Sequence, residues 1–251
     1  METISILFVA LIGALVGSFL NVVIWRLPRG ESLVSPGPHC PSCAMAIAPC
    51  DSVPVISWVL LRGRCRGCAE PISARYPLVE LLTAVTFAAV AAARGLDAEL
   101  IALLPFAALL IAVAGIDLDH RIIPNRLLLP AAVWGVASTA AIRPGALPEL
   151  LIAGSAAFLA LLVAVLAYPA GMGMGDVKLA GVMGLFLGAA IVPALLIAFL
   201  AGSVAGLATL AREGPAARRK AVPFAPFLAA GGLAGLIVGP ELVDLYVRSF
   251  L

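Results

Sequence analysis

Charge is scarce in this sequence. Only 12% of its 251 residues are Asp, Glu, Lys or Arg, 63% are hydrophobic, and the mean hydropathy is +1.12. A soluble domain is about 45–50% apolar, so water is excluded as the main solvent and lipid takes its place. The apolar runs lack a period of two, which excludes the alternating strands of a membrane barrel. Helices remain, because their backbone groups are satisfied within each segment. Residues 1–5 carry no Lys or Arg, whereas Arg26 and Arg29 follow the first apolar stretch. A secretory signal has the opposite arrangement, so this stretch reads as a retained helix. The net charge is only +2, with basic residues scattered through loops, which gives no footing to a nucleic-acid partner. Cysteine is absent outside residues 40–68, and no Rossmann-type glycine motif occurs.

What is present is a chain built for a bilayer. A helical crossing takes about 20 apolar residues, and the sequence divides into segments at roughly 3–25, 77–93, 100–116, 127–142, 150–168, 179–190, 192–211 and 224–239. The predicted fold is therefore an all-α, polytopic membrane bundle of about eight transmembrane helices. The weakest division is near Gly188 to Pro193, inside a nearly unbroken apolar run, and losing it would invert everything downstream. Loop charge supports eight crossings. All of the 16 basic residues except Arg94, Arg143 and Arg248 then fall on one side, including the cluster Arg218-Arg219-Lys220. The positive-inside rule makes that side cytoplasmic and puts both termini in the periplasm. Three parts are expected: a first helix (1–25), a cytoplasmic four-cysteine insert (26–76), and a membrane-embedded core (77–251).

Two acids stand where a bilayer protein has little use for them. The uncharged stretch ending at Ile116 is followed at once by Asp117-Leu118-Asp119-His120-Arg121-Ile122-Ile123-Pro124-Asn125, so Asp117 lies at the membrane boundary. Asp176 follows the glycines at 171, 173 and 175, and on the expected topology reaches the same cytoplasmic face. A carboxylate near hydrocarbon is costly and by default faces a wet cavity or a partner. Two in one cavity share a proton, leaving one acid and one base. Peptide hydrolysis needs both: the charged group activates water, and the protonated one polarises the carbonyl and then protonates the amine. The competing reading makes Asp117, Asp119 and Asp176 loop acids balancing Arg121, Arg126 and Lys178. Asp119 and His120 lie further into the loop and read as solvated. Glycines without Cβ would let a substrate backbone come close to Asp176.

The insert is small, rich in Pro, Gly, Ser and Arg, and needs a staple. Cys40-Pro41-Ser42-Cys43 and Cys65-Arg66-Gly67-Cys68 are two CxxC pairs separated by 21 residues, near the spacing of four-thiolate zinc sites. A reducing cytoplasm disfavours disulfides, so structural Zn2+ on Cys40, Cys43, Cys65 and Cys68 is expected, with no open position for catalysis. Cys50 reads as a bystander and His39 as exposed.

Several ordered motifs resemble the type IV prepilin peptidases, which are GxGD-type membrane aspartic proteases. Gly173-Met174-Gly175-Asp176 resembles the family signature, and Asp117 with Ile123-Pro124-Asn125 resembles its partner motif. Gly17-Ser18-Phe19-Leu20-Asn21-Val22-Val23-Ile24-Trp25-Arg26-Leu27-Pro28 resembles the opening segment, and Arg75-Tyr76-Pro77-Leu78-Val79-Glu80 the start of the second helix. Pro223-Phe224-Ala225-Pro226-Phe227-Leu228 resembles a further block, with Ala225 where Gly is expected, a departure that touches packing more than chemistry.

The resemblance implies catalysis by Asp117 and Asp176 on type IV prepilins or pseudopilins. The setting would be a bacterial inner membrane, with the active site facing the cytoplasm, serving pili or a type II secretion apparatus. It also implies N-methylation of the new N-terminus with S-adenosylmethionine as donor. Gly173, Gly175, Lys178 and Glu80 are the candidates for the substrate site; the competing reading makes Glu80 an interfacial capping acid. Three rivals remain: the same peptidase without methylation, a proton- or metal-coupled transporter using the same acids, and a purely structural assembly subunit.

Overall fold

The computed structural model describes residues 2–169, 172–214 and 223–250. Gly171 and the basic residues Arg218, Arg219 and Lys220, which entered the sequence reading, lie outside the described residues. Described secondary structure is helical: α1 (Glu2–Arg26), α2 (Ile56–Leu60), α3 (Arg75–Arg94), α4 (Leu100–His120), α5 (Asn125–Ile142), α6 (Leu147–Ala167), α7 (Met174–Leu187), α8 (Ile191–Glu213) and α9 (Ala225–Phe250). Each of the eight expected segments corresponds to one of these helices; α2 lies within the insert. Six helical runs are long and apolar enough to cross a membrane, and one of them, Met174–Glu213, contains both α7 and α8. It is broken where expected: Gly188 has φ +54°, a conformation that needs no Cβ, and a 3-10 turn over Gly188–Ala190 separates the helices. The 18-residue α5 is not among the six.

The two largest departures from the expected helix ends are the start of α7 and the end of α9. α7 begins five residues early, at Met174, because the glycine-rich stretch supplies its own cap: the Gly173 N–H donates to Asp176 Oδ2 at 3.1 Å, and the Asp176 N–H returns to Gly173 O at 3.1 Å. α9 runs through Pro240 to Phe250 rather than stopping at Gly239. A proline inside a helix removes one hydrogen bond, and the helix-forming residues after it resume the ladder.

The chain forms two compact units, Met1–Leu96 and Asp97–Leu251. In the first, α1 packs along α3. Gly13 and Gly17, four apart, bring the backbones together: a Cβ on Gly17 would lie 2.7 Å from Glu80 Cα, and one on Gly13 2.8 Å from Thr83 O. Asn21 Nδ2 donates to Tyr76 O at 3.1 Å and to Gly17 O at 3.3 Å, tying the end of α1 to the start of α3. The opposite face of α1 exposes Ile4, Leu7, Phe8, Leu11, Leu15 and Phe19, as a lipid-facing helix should.

In the second unit α4 is the central element. Residues 106–113 of it are all buried, and Phe106 stacks on Phe186 of α7 with ring centroids 4.3 Å apart. α4 packs against α5, α7 and α9, while α6 lies along α7 and α8 along α9.

Candidate active site

Three helix ends supply the acids and their partners. Asp117 is in the last turn of α4, which continues to His120 before Arg121, at φ +55°, ends it. The helix therefore carries the acid just past Ile116, its last buried apolar residue, and its pitch turns neighbours two apart to different surroundings. Asp117 is buried, whereas Asp119 is exposed. Asp117 Oδ2 accepts the N–H of Ala225, the first residue of α9, at 3.1 Å. Asp176 lies in the first turn of α7, buried, with Oδ2 on the Gly173 N–H. Each carboxylate thus has one oxygen on a backbone donor at the N-terminal end of a helix, where unpaired N–H groups and the dipole favour an anion. Asp117 lies close enough to Asp176 for its charge to be felt there.

The surrounding residues are bound to one another. Lys178 Nζ donates to Asn125 Oδ1 at 3.1 Å, which joins α7 to the start of α5. Gly175 faces Ile123: a Cβ there would come within 2.9 Å of Ile123 Cβ. The absent side chain makes room for the Ile123-Pro124-Asn125 segment, a packing reason for the glycine. Gly173 is exposed, and a Cβ on it would meet only Asp176 Oδ2 at 3.4 Å and Gly175 N at 3.9 Å. Between α5, α6 and α7 lies a mostly apolar cavity of about 580 Å³, with Lys178, Asn125 and Ser155 as its charged and polar lining.

Glu80 belongs to the first unit. It is 7% exposed, and its Oε2 accepts the Val55 N–H at 2.7 Å. Val55 has φ +62°, and the Ile56 N–H bonds Pro54 O at 2.6 Å, so a β-branched residue occupies the centre of a strained γ-turn. Glu80 holds that turn and caps the start of α2.

The insert places four sulfurs together. Sγ atoms of Cys40, Cys43, Cys65 and Cys68 lie within 4.8 Å of one another, with Cys40 to Cys68 at 3.7 Å and Cys43 to Cys65 at 4.0 Å. A tetrahedral site with Zn–S of about 2.3 Å has sulfurs roughly 3.8 Å apart, so the donor set and spacing fit zinc. Two equivalent knuckles build it. Cys40 N–H bonds Met45 O and Ala44 N–H bonds Cys40 O; 25 residues on, Cys65 N–H bonds Glu70 O and Ala69 N–H bonds Cys65 O. Ala44 and Ala69 both have φ +57°, and bridges His39–Ala46 and Arg64–Pro71 close the loops.

Backbone N–H groups of Cys43 and Ser42 aimed at the Cys40 sulfur hold its thiol down to about 6. The Glu70 N–H acts the same way on Cys68, yet desolvation and the neighbouring Cys65, Cys40 and Cys43 push that thiol up to about 12. Thiols pressed this closely favour a shared cation. Cys50 lies outside the cluster with its Sγ toward Asp51 Oδ1, and His39 Nδ1 is 2.9 Å from Gly37 O. Asp51 is held below the usual carboxylate range by its bidentate bonds from Arg66, at 2.8 and 2.6 Å.

Sequence reasoning missed three partners: the Ala225 N–H on Asp117, Asn125 on Lys178, and Val55 on Glu80. The first is a backbone donor and has no side-chain signal; its trace in the sequence was a motif at the start of a helix.

A polytopic helical membrane protein with buried acids at converging helix ends and a four-thiolate insert is the class these features define. The chain belongs to the type IV leader peptidase family. Residues 11–94 match the profile described as the bacterial Peptidase A24 N-terminal domain, and residues 104–210 match the type IV leader peptidase family. Among curated relatives, the prepilin leader peptidase/N-methyltransferase of Bacillus subtilis (strain 168) is 33% identical over 248 residues, 98% of this chain and 99% of that one. The protein of the same name from Aeromonas hydrophila is 35% identical, covering 97% and 94%. That of Myxococcus xanthus (strain DK1622) is 38% identical over 84% of this chain, a match that spans 65% of its own length. No solved structure matches.

Proposed function

We propose that this chain cuts the leader from type IV prepilins or pseudopilins at the cytoplasmic face of a bacterial inner membrane and methylates the N-terminus so exposed. The observation that carries the proposal is the burial of Asp117 and Asp176 at the ends of two helices that pack together, each with one carboxylate oxygen on a backbone N–H. Both lie within the stretch matched by the leader peptidase family.

One oxygen of each carboxylate is occupied by a backbone N–H, which fixes the orientation of the other toward a substrate. One acid then takes a proton from water as it attacks the scissile carbonyl, while the other donates to the carbonyl oxygen and later to the leaving amine. The pair acts as a unit, with Gly173, Gly175 and Lys178 shaping its approach. Residues 26–76 serve as a cytoplasmic insert and residues 77–251 as the peptidase core. Zn2+ on Cys40, Cys43, Cys65 and Cys68 would join the two knuckles and supply no chemistry to the cut, since four thiolates close its coordination. Methyl transfer needs a methyl donor, as the relatives' N-methyltransferase names imply, and the donor in this proposal is S-adenosylmethionine.

The test is to incubate the purified protein in detergent with a prepilin and labelled S-adenosylmethionine, and to read cut and methylated products by mass. Wild type should yield both, and Asp117→Asn and Asp176→Asn should yield neither, because methylation follows the cut. A cut product without label would leave a peptidase alone; cleavage by both Asn variants would overturn the aspartate assignment.

A further inference from the structure

We propose that α2 is a foot by which the cysteine insert stands on the membrane, with Ile56, Val59 and Leu60 immersed in the interface of the cytoplasmic leaflet and Arg62 and Arg64 on anionic headgroups. The leaflet is that of the topology proposed above; the contact itself does not depend on peptidase activity.

The depth of α2 is fixed within the first unit. Trp25, at the end of α1, and Tyr76, at the start of α3, are both about half exposed, and Asn21, one helical turn before Trp25, donates to Tyr76 O. Aromatic residues at the ends of spanning helices mark the membrane–water boundary, and Arg29 lies 3.7 Å over the Trp25 ring at the same level. Glu80 is four residues further along α3, roughly 6 Å deeper at 1.5 Å per residue. Its carboxylate binds the Val55 N–H at 2.7 Å, and Val55 immediately precedes α2. The first residue of α2 is therefore held at the boundary rather than out in the cytosol. The strained γ-turn at Val55, kept by a buried acid, makes that tether specific.

The faces of α2 are sorted. Ser57 is buried, and Trp58 turns inward, donating its Nε1–H to Ile72 O at 3.0 Å and packing on Gly63. Ile56, Val59 and Leu60, spaced i, i+3 and i+4 on the other face, are 59%, 60% and 77% exposed. Three large aliphatic side chains in water on one turn are costly, whereas at a lipid interface they are stabilising. Arg62 and Arg64 follow directly and are exposed, which complements anionic lipid. Lipid is the occupant that satisfies depth, apolar face and charge together.

The test places the photo-crosslinker p-benzoylphenylalanine at Leu60 of the full chain, held in nanodiscs of phosphatidylcholine with 30% phosphatidylglycerol or of phosphatidylcholine alone. Irradiation should add the mass of one phospholipid, several-fold more in the anionic discs. A crosslink to another segment of the chain or to a second copy, or no adduct, would overturn the proposal; equal yields in the two discs would remove the arginine part. In a parallel variant, Ile56→Ser/Val59→Ser/Leu60→Ser, crosslinking at Arg62 to lipid should be lost while zinc content and Trp58 emission stay unchanged. Loss of zinc instead would show that the face holds the insert's own fold, and would sink the lipid assignment.

Discussion

Replacing Ala225 by proline removes a donor that reaches Asp117 from outside its own helix. Proline is tolerated at the first residue of a helix, where its fixed φ suits the geometry and the missing N–H costs no helical bond. Ala225 is the first residue of α9, and its N–H instead serves the carboxylate at 3.1 Å. Ala225 is fully buried and Asp117 is 6% exposed, so water cannot readily replace the lost bond. A hydrogen bond to a charged group is worth about 1.5–3 kcal/mol. If all of it holds the catalytic geometry, the rate falls by about 10-fold to about 150-fold. The assay is steady-state cleavage of a prepilin in nanodiscs, and the fall should appear in kcat with little change in KM. Ala225→Gly keeps the N–H and should retain activity within a few-fold. Because proline adds atoms at a packed position, a backbone ester at 225, made with lactic acid in place of alanine, deletes the donor at constant shape. Near wild-type kcat for the ester, in a protein of unchanged thermal stability, would refute the role assigned to this bond.

Two further outcomes follow from the first unit. Cys65→Ser should lower bound zinc, measured by elemental mass spectrometry, from one per chain toward none, and should open the insert to proteases while the membrane helices stay intact. Glu80→Ala should release Val55 from its γ-turn, raising amide exchange over residues 55–60 by about 5-fold to about 150-fold for a bond of roughly 1–3 kcal/mol; Glu80→Gln, which keeps an acceptor oxygen, should fall between. Lost methyl transfer with exchange protection intact would instead mark Glu80 as a donor-site residue.

The helices were legible because lipid leaves a strong record in sequence: long apolar runs, charge at their ends, and a glycine at the one break inside a 40-residue run. The thiolate cluster was legible because two short spacings supply four ligands. What escaped was carried by backbone or by neighbours distant in the chain. Nothing in Ala225 announces a hydrogen bond to residue 117, and nothing in Gly175 shows that Ile123 needs its space. The glycine had been read as access for substrate; its closest neighbour is the chain itself. The start of α7 was placed too late because a Gly-rich stretch suggests a loop, whereas Asp176 at the third helical position caps the helix and draws the glycines into its end. α9 outlasts its apolar stretch because the residues after Pro240 resume the helix.

The most direct test of the account is the separation of the Asp117 and Asp176 carboxylates in an experimentally determined structure of the full chain in a lipid nanodisc. The account predicts both at one face of the bilayer, with facing oxygens about 5–6 Å apart or less, so that a single water can bond to both at ordinary distances. Carboxylates on opposite faces, or divided by packed side chains with no room for a common water, would contradict it.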